Sequence, residues 1–220
     1  MGSHREIAII IPAKNEQHNI SKVLTEVPND FQVFLIDDNS SDNTRSEASK
    51  HPVIVLKNEN SLGYEKTLEV GLREAFNKNF KFAITMDADG QHDIKDVMNF
   101  ASLSKKYDLI LGRRRAYPRI SENLFHTFSK IICGIQDPLC GLKGYNLEKA
   151  SQVKFFSKSD TMGFSLAYKM NFLSDKVLEL DVNIKERTDS PRLGNFITSE
   201  LKILKALISF IRIYLKNLNF

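Results

Sequence analysis

Short runs of β-branched and other apolar residues recur along this chain, at Ile7 to Ile11, Val33 to Ile36, Val53 to Leu56, Phe82 to Met86 and Leu109 to Leu111. Each is followed by polar or glycine-bearing sequence, and each reads as a strand buried in a sheet. Between them lie segments with helical spacing: Ile20, Val23, Leu24 and Val27 in one, Leu68, Leu72, Ala75 and Phe76 in another, and a third from Asp93 to Lys105. The alternation predicts an α/β fold with a mostly parallel sheet flanked by helices, whose ligands lie beyond the carboxyl ends of the strands. The residues just after each run are therefore the informative ones.

Three strand ends carry chemistry. They read Pro12-Ala13-Lys14-Asn15-Glu16, then Asp37-Asp38-Asn39-Ser40, then Asp87-Ala88-Asp89-Gly90-Gln91-His92. Gathered at one edge of a sheet, they make an acidic pocket. A nucleoside diphosphate needs acceptors for its base and ribose, and a divalent cation to neutralise its phosphates. Hard oxygen ligands suit Mg²⁺ or Mn²⁺. Two carboxylates one residue apart, Asp87 and Asp89, can turn separately to ribose and metal, with the Gln91 amide oxygen beside them.

Composition narrows the class. A chain of 220 residues with 42% hydrophobic residues fits one domain with an appendage, divided here as 5–194 and 195–220. The net charge of +4 is too small for a histone-like nucleic-acid binder, so no nucleic-acid partner is expected. Cys133 and Cys140 form neither a disulfide framework nor a zinc site, which makes a reducing cytoplasm the default. Met1 to His4 reads as an expression scar. No stretch of about 18 uncharged apolar residues occurs, so any membrane contact is expected to be superficial. Neither a Gly-x-Gly-x-x-Gly turn nor a Gly-x-x-x-x-Gly-Lys loop is present, which removes the common dinucleotide and P-loop alternatives.

The three motifs in order, at strand ends, resemble those of the inverting family 2 glycosyltransferases of the GT-A fold. The nearest branch comprises the dolichol-phosphate mannose synthases and dolichyl-phosphate glucosyltransferases. The resemblance spans residues 6 to 194. It implies that Pro12, Ala13, Asn15, Glu16 and Asp38 line the nucleotide site, that Asp87 and Ala88 meet the nucleotide sugar, and that Asp89 and Gln91 hold the Mg²⁺ or Mn²⁺. Lys14 stands where an aromatic residue is usual, and Asn39 where glycine is common.

The strand Asp108 to Gly112, running into Arg113-Arg114, is similar to the family's strand ending in Gly-Ser-Arg. This implies Arg114 as the acceptor-phosphate arginine, with Arg119 and Lys130 assisting. Asp137-Pro138-Leu139-Cys140-Gly141-Leu142-Lys143 resembles the Asp-x-x-Cys-Gly-Phe-Lys segment of the polyprenyl-phosphate branch. Arg187 through Arg192 resembles the basic loop over the diphosphate, with Ser190 and Arg192 as its serine and cation. The catalytic set implied is thus Asp89, Arg114 and Arg192, with Arg187 on the nucleotide side. Processive polysaccharide synthases carry Gln-x-x-Arg-Trp, and this chain has no tryptophan.

The expected activity is transfer of a sugar, with inversion, from a nucleotide-diphosphate donor to a polyprenyl phosphate, at the cytoplasmic face of a membrane. A phosphate acceptor arrives already anionic and needs positioning by cations, whereas a hydroxyl acceptor needs a general base. Asp137 is the residue such a base would be, and a saccharide hydroxyl acceptor is the alternative; a noncatalytic nucleotide-binding module is a more distant one. Asp42 is read as a helix cap and His92 as structural. His18, His51 and His126 lack partners at metal spacing. The stripe Leu201, Leu204, Ile208, Ile211 and Leu215, set among Lys202, Lys205, Arg212 and Lys216, either docks on the domain's core or lies on a membrane. The basic residues favour the membrane.

Overall fold

The computed structural model describes residues 4–153, 161–185 and 196–218. Its strands are β1 (Ile7–Ala13), β2 (Gln32–Asp37), β3 (Ile54–Lys57), β4 (Phe82–Thr85), β5 (Leu109–Arg113), β6 (Lys143–Asn146) and β7 (Val177–Asp181), joined in one sheet of order β3-β2-β1-β4-β6-β5-β7. All neighbouring pairs run parallel except those of β6, which is antiparallel to both β4 and β5. The five apolar runs are the first five strands, as expected. The sixth strand has no such run: its buried members are Lys143, Gly144 and Tyr145.

The helices are α1 (Ile20–Glu26), α2 (Thr44–Ala48), α3 (Tyr64–Asn77), α4 (Ile94–Leu103), α5 (Ile120–Cys133), α6 (Leu147–Gln152), α7 (Phe164–Leu173) and α8 (Phe196–Leu218). They cover both faces of the sheet. β1 is buried along its whole length and divides its side chains by the two-residue period of a strand. Ile7, Ile9 and Ile11 face a core shared with Ile20 and Val23 of α1 and Val97 and Phe100 of α4. Ala8 and Ile10 face the other core, built with Leu68 and Leu72 of α3 and with α5, α7 and α8. At Gly71 of α3 a Cβ would lie 2.5 Å from both Ile10 and Ile36, so glycine is what lets the helix settle onto the sheet.

α8 packs on this second core through Ile203, Ala206, Leu207 and Phe210. The Phe210 ring meets Phe125 at 5.8 Å, Phe164 at 5.0 Å and Tyr168 at 5.2 Å between centroids. The docked residues are not those of the expected stripe. Leu201, Ile208 and Leu215 of that stripe stay exposed, and Leu204 and Ile211 are half-buried.

Candidate active site

The ends of β1, β2 and β4 lie side by side, because the three strands are sheet neighbours in parallel register. The first two loops are sewn together by side chains. Asn15, at φ 54, accepts from the Ser41 N–H at 2.9 Å, and its own N–H donates to Ser40 Oγ at 2.9 Å. The Glu16 N–H donates to Thr44 Oγ1, and the buried Glu16 carboxylate accepts from Asn19 Nδ2 at 2.7 Å. Asp42 accepts from the N–H of Thr44, the first residue of α2, and from the N–H of Gln17, while the cap position itself falls on Asn43, one residue after the cap expected at Asp42. Asn15 and Glu16 thus shape the rim of the pocket through its backbone.

Asp38 is buried, and both its oxygens are occupied. Asn58 Nδ2 and the Leu62 N–H donate to one, Ser61 Oγ and the Gly63 N–H to the other, at 2.6 to 3.2 Å. Burial alone would raise its pKa, but the four donors together hold it below the ordinary carboxylate value. Asp38 therefore fixes the loop that leads into α3. Lys14 reaches the same place: its Nζ donates to Ser61 Oγ at 2.5 Å and lies 3.9 Å from Asp38.

That loop delivers Tyr64, the first residue of α3, to the next strand end. Its hydroxyl donates to Asp87 Oδ1 at 2.9 Å, while His92 Nε2 lies 3.3 Å from Asp87 Oδ2. Burial pushes the Asp87 pKa up, but His92, Tyr64 and the nearby Lys143 charge outweigh it, leaving the carboxyl below its usual range. Gly141 closes the third side, where a Cβ would fall 2.2 Å from Asp87 Oδ2. Ala88 is buried beside them. Asp89 accepts from the Gln91 N–H at 3.1 Å, and Gln91 Nε2 donates to the Lys185 carbonyl at 3.3 Å. The Gln91 backbone is thus tied to Asp89 and its side chain to Lys185, and a carboxylate with an amide oxygen is a hard-donor set. That set suits Mg²⁺ or Mn²⁺ completed by water and substrate phosphates. Among the described residues no group of three His, Cys, Asp or Glu side chains could enclose a metal by itself.

The acceptor-side residues gather at the end of β5. Asp137, 1% exposed, accepts from five donors: the N–H, Nε and Nη2 of Arg114 and the N–H groups of Leu139 and Cys140. Burial works against the Arg114 charge, but its bonds to Asp137 raise its pKa far above the ordinary arginine value. Arg114 Nη1 and Arg119 Nη1 converge on one anionic oxygen, Glu122 Oε1, at 3.3 and 3.4 Å. Lys130 does not join them. It is exposed on α5, eleven residues beyond Arg119, or about 16 Å along the axis. Arg187, Ser190 and Arg192 lie outside the described residues.

Two participants were given no role by the sequence reading, although Lys143 ends the Asp137 to Lys143 segment it singled out. Tyr64 follows a glycine at a helix start, and nothing in the sequence ties it to Asp87. Lys143 is buried in β6, where its ammonium donates to the Cys140 carbonyl and burial lowers its pKa. An apolar-run criterion passes over both. His92 does touch the site, through Asp87; its Nδ1 is buried without a hydrogen-bond partner among the described residues.

A mostly parallel sheet flanked by helices, with acidic residues gathered at neighbouring strand ends, is the architecture of the GT-A glycosyltransferases. Residues 8–172 match the family model described as glycosyl transferase family 2, and the chain belongs to that family. Over 171 residues it is 30% identical to an uncharacterized protein of Methanocaldococcus jannaschii, covering 70% of each chain. It is 29% identical over 175 residues to the UDP-N-acetylglucosamine–dolichyl-phosphate N-acetylglucosaminyltransferase of Methanococcus voltae, again covering 70% of each. Among solved structures, glucosyl-3-phosphoglycerate synthase of Mycobacterium tuberculosis in complex with Mn²⁺, UDP and glucosyl-3-phosphoglycerate superposes with a TM-score of 0.72 at 15% identity, covering 93% of this chain and 80% of that one. This last likeness bears on the fold.

Proposed function

We propose that this glycosyltransferase moves a sugar from a nucleotide-diphosphate donor, a GDP- or UDP-sugar, to a polyprenyl phosphate, with inversion, at the cytoplasmic face of a membrane. The observation that carries the reading is the state of Asp137. The carboxylate standing where a hydroxyl acceptor would need its base is fully used by five donors. What the acceptor side offers instead is a pair of guanidiniums, Arg114 and Arg119, near enough to share one oxygen, which in the structure is Oε1 of Glu122, so an acceptor phosphate would take the place of that carboxylate. A phosphate oxygen needs no base near neutral pH; it needs that pair. The relative from Methanococcus voltae, whose name specifies a dolichyl-phosphate acceptor, supports the same choice.

In this reading an acceptor phosphate oxygen attacks the anomeric carbon from the face opposite the nucleotide. The bond from that carbon to the diphosphate breaks, and the configuration inverts. Asp137 keeps Arg114 in the orientation the phosphate requires, while Arg119 supplies the second fork. Asp87, steadied by Tyr64 and His92, orients the donor sugar. Asp89 and Gln91 would hold the divalent cation, which when bound neutralises the charge developing on the departing diphosphate.

The test is transfer of label from a panel of GDP- and UDP-sugars into an organic extract, using purified protein, Mn²⁺ or Mg²⁺ and a short polyprenyl phosphate. Label should enter the organic phase only when both metal and lipid phosphate are present. Asp89→Ala should abolish transfer while leaving the protein folded. Full activity in excess EDTA would sink the metal reading, and transfer only to saccharide hydroxyls would move the acceptor assignment.

A further inference from the structure

Nine of the fourteen exposed large hydrophobic side chains among the described residues lie on just two helices, α5 and α8. These helices pack against each other and start together: Glu200 of α8 accepts from the Ser121 N–H of α5 at 2.9 Å. The first turns of the two helices are thus joined, and further along Phe125 of α5 meets Phe210 of α8.

Their outward surfaces are divided. With successive residues 100° apart, the core side of α8 is centred between Ile203 and Phe210. Leu204, Ile208, Ile211 and Leu215 then fall on the flank that carries Glu200, the flank turned to α5. The opposite flank carries Lys202, Lys205, Arg212 and Lys216, all exposed. On α5 the same construction puts Ile120, Leu124, Phe128 and Ile131 on the outward face, roughly a quarter-turn from Ser121 and Phe125, and Phe125 stacks on Phe210 of α8. Lys130 falls on the far side. Half-buried Ile132 of α5 and Ile211 of α8 pack on the same core, beside these two apolar flanks. Taken together they make one apolar strip, edged by four basic residues on the α8 side and by Lys130 on the α5 side.

We infer that this two-helix strip is a docking surface for an anionic bilayer. The inference deepens the lipid-phosphate reading and rests on it for the choice of occupant. Charge argues for the same choice. The one acidic residue of α8 is turned into the seam toward Ser121, and no ion pair among the described residues neutralises Lys130, Lys205, Arg212 or Lys216. An apolar strip beside a row of cations matches acyl chains beneath anionic headgroups. Position agrees as well. The strip begins at Ile120, 78% exposed, next in sequence to Arg119 of the acceptor cluster. A bilayer on the strip would present a lipid phosphate at its arginine end.

The experiment is flotation of the full chain with vesicles of phosphatidylcholine alone or with anionic phosphatidylglycerol, containing neither polyprenyl phosphate nor nucleotide sugar. Ile120 and Ile131 are more than three-quarters exposed, so Ile120→Glu with Ile131→Glu should fold normally, as circular dichroism would verify. Wild type should float with anionic vesicles, less so in high salt, and the double variant should bind roughly tenfold more weakly or worse. Phe76→Glu on α3, away from the strip, should bind as wild type. Equal flotation of wild type and the double variant would overturn the inference, as would wild type that ignores anionic vesicles. A solution dimer dissociated by the same two substitutions would also overturn it, by giving the strip to a second copy of the chain. Because the vesicles lack substrate, transfer to a short polyprenyl phosphate free in solution reports separately on the lipid-phosphate reading.

Discussion

In the proposed reading, the bonding of Asp137 argues for one acceptor chemistry over the other. A carboxylate acting as general base must have an oxygen ready for the incoming proton, and both oxygens here already serve Arg114 and the following turn. Asp137→Asn should therefore act first on stability. It leaves a buried guanidinium facing an amide, and breaking a buried pair of this kind costs about 3 kcal/mol or more. Urea denaturation should record that loss, together with a larger rise in the lipid-phosphate requirement than in the donor requirement. Turnover abolished at unchanged stability would mark Asp137 as a base and favour the hydroxyl acceptor. At this scale the sequence revealed residue types but not their engagements. Asp38 could be recognised from the Asp37-Asp38-Asn39-Ser40 segment. That its oxygens are spent on Asn58, Ser61, Leu62 and Gly63 depends on a loop twenty residues away, whose path the sequence does not announce.

Among the elements, the turn from Asp137 to Leu142 and the strand β6 that follows it join the two halves of the site. β6 lies antiparallel between β4 and β5, so its leading turn arrives at the same edge as their ends. The turn sets Asp137 against Arg114 and Gly141 against Asp87. Gly141→Ala would place a methyl 2.2 Å from Asp87 Oδ2, so the carboxyl or the turn must move. Misplacement of a positioning group by about 1 Å costs roughly 10- to 100-fold, and the donor KM or kcat should change on that scale with the fold retained. Kinetic constants matching wild type would show that the turn yields without disturbing Asp87. β6 also marks where the pattern reading ran out. Strands buried on both faces announce themselves as apolar runs, and β1, β2 and β4 were legible on that ground. β6 achieves burial with a lysine satisfied by a carbonyl and with a glycine, so it carries no run to read.

For the whole molecule, the question is whether α8 is an attachment to a finished domain or part of what finishes it. The sequence division at residue 195 follows a real change in composition, but composition cannot show which face of an apolar helix is covered. The visible stripe proved to be the less covered one, because α8 is apolar around much of its circumference and the docked set, Ile203, Ala206, Leu207 and Phe210, is spaced equally well. Phe210 fills the space between α5 and α7, fully buried against Phe125, Phe164 and Tyr168. Without it those aromatic rings would line a cavity, and without the whole helix they would face water. Phe210→Ala should lower the unfolding free energy by about 4 kcal/mol, within the range for large buried aromatic residues. A chain ending at residue 195 should lose its cooperative thermal transition or aggregate, even though all three motif-bearing strand ends remain. If that shortened chain unfolded at the wild-type temperature and still transferred sugar to a soluble acceptor, α8 would be an appendage after all. The opposite result would mean that one helix completes the core with one face and, with α5, builds the apolar strip with another.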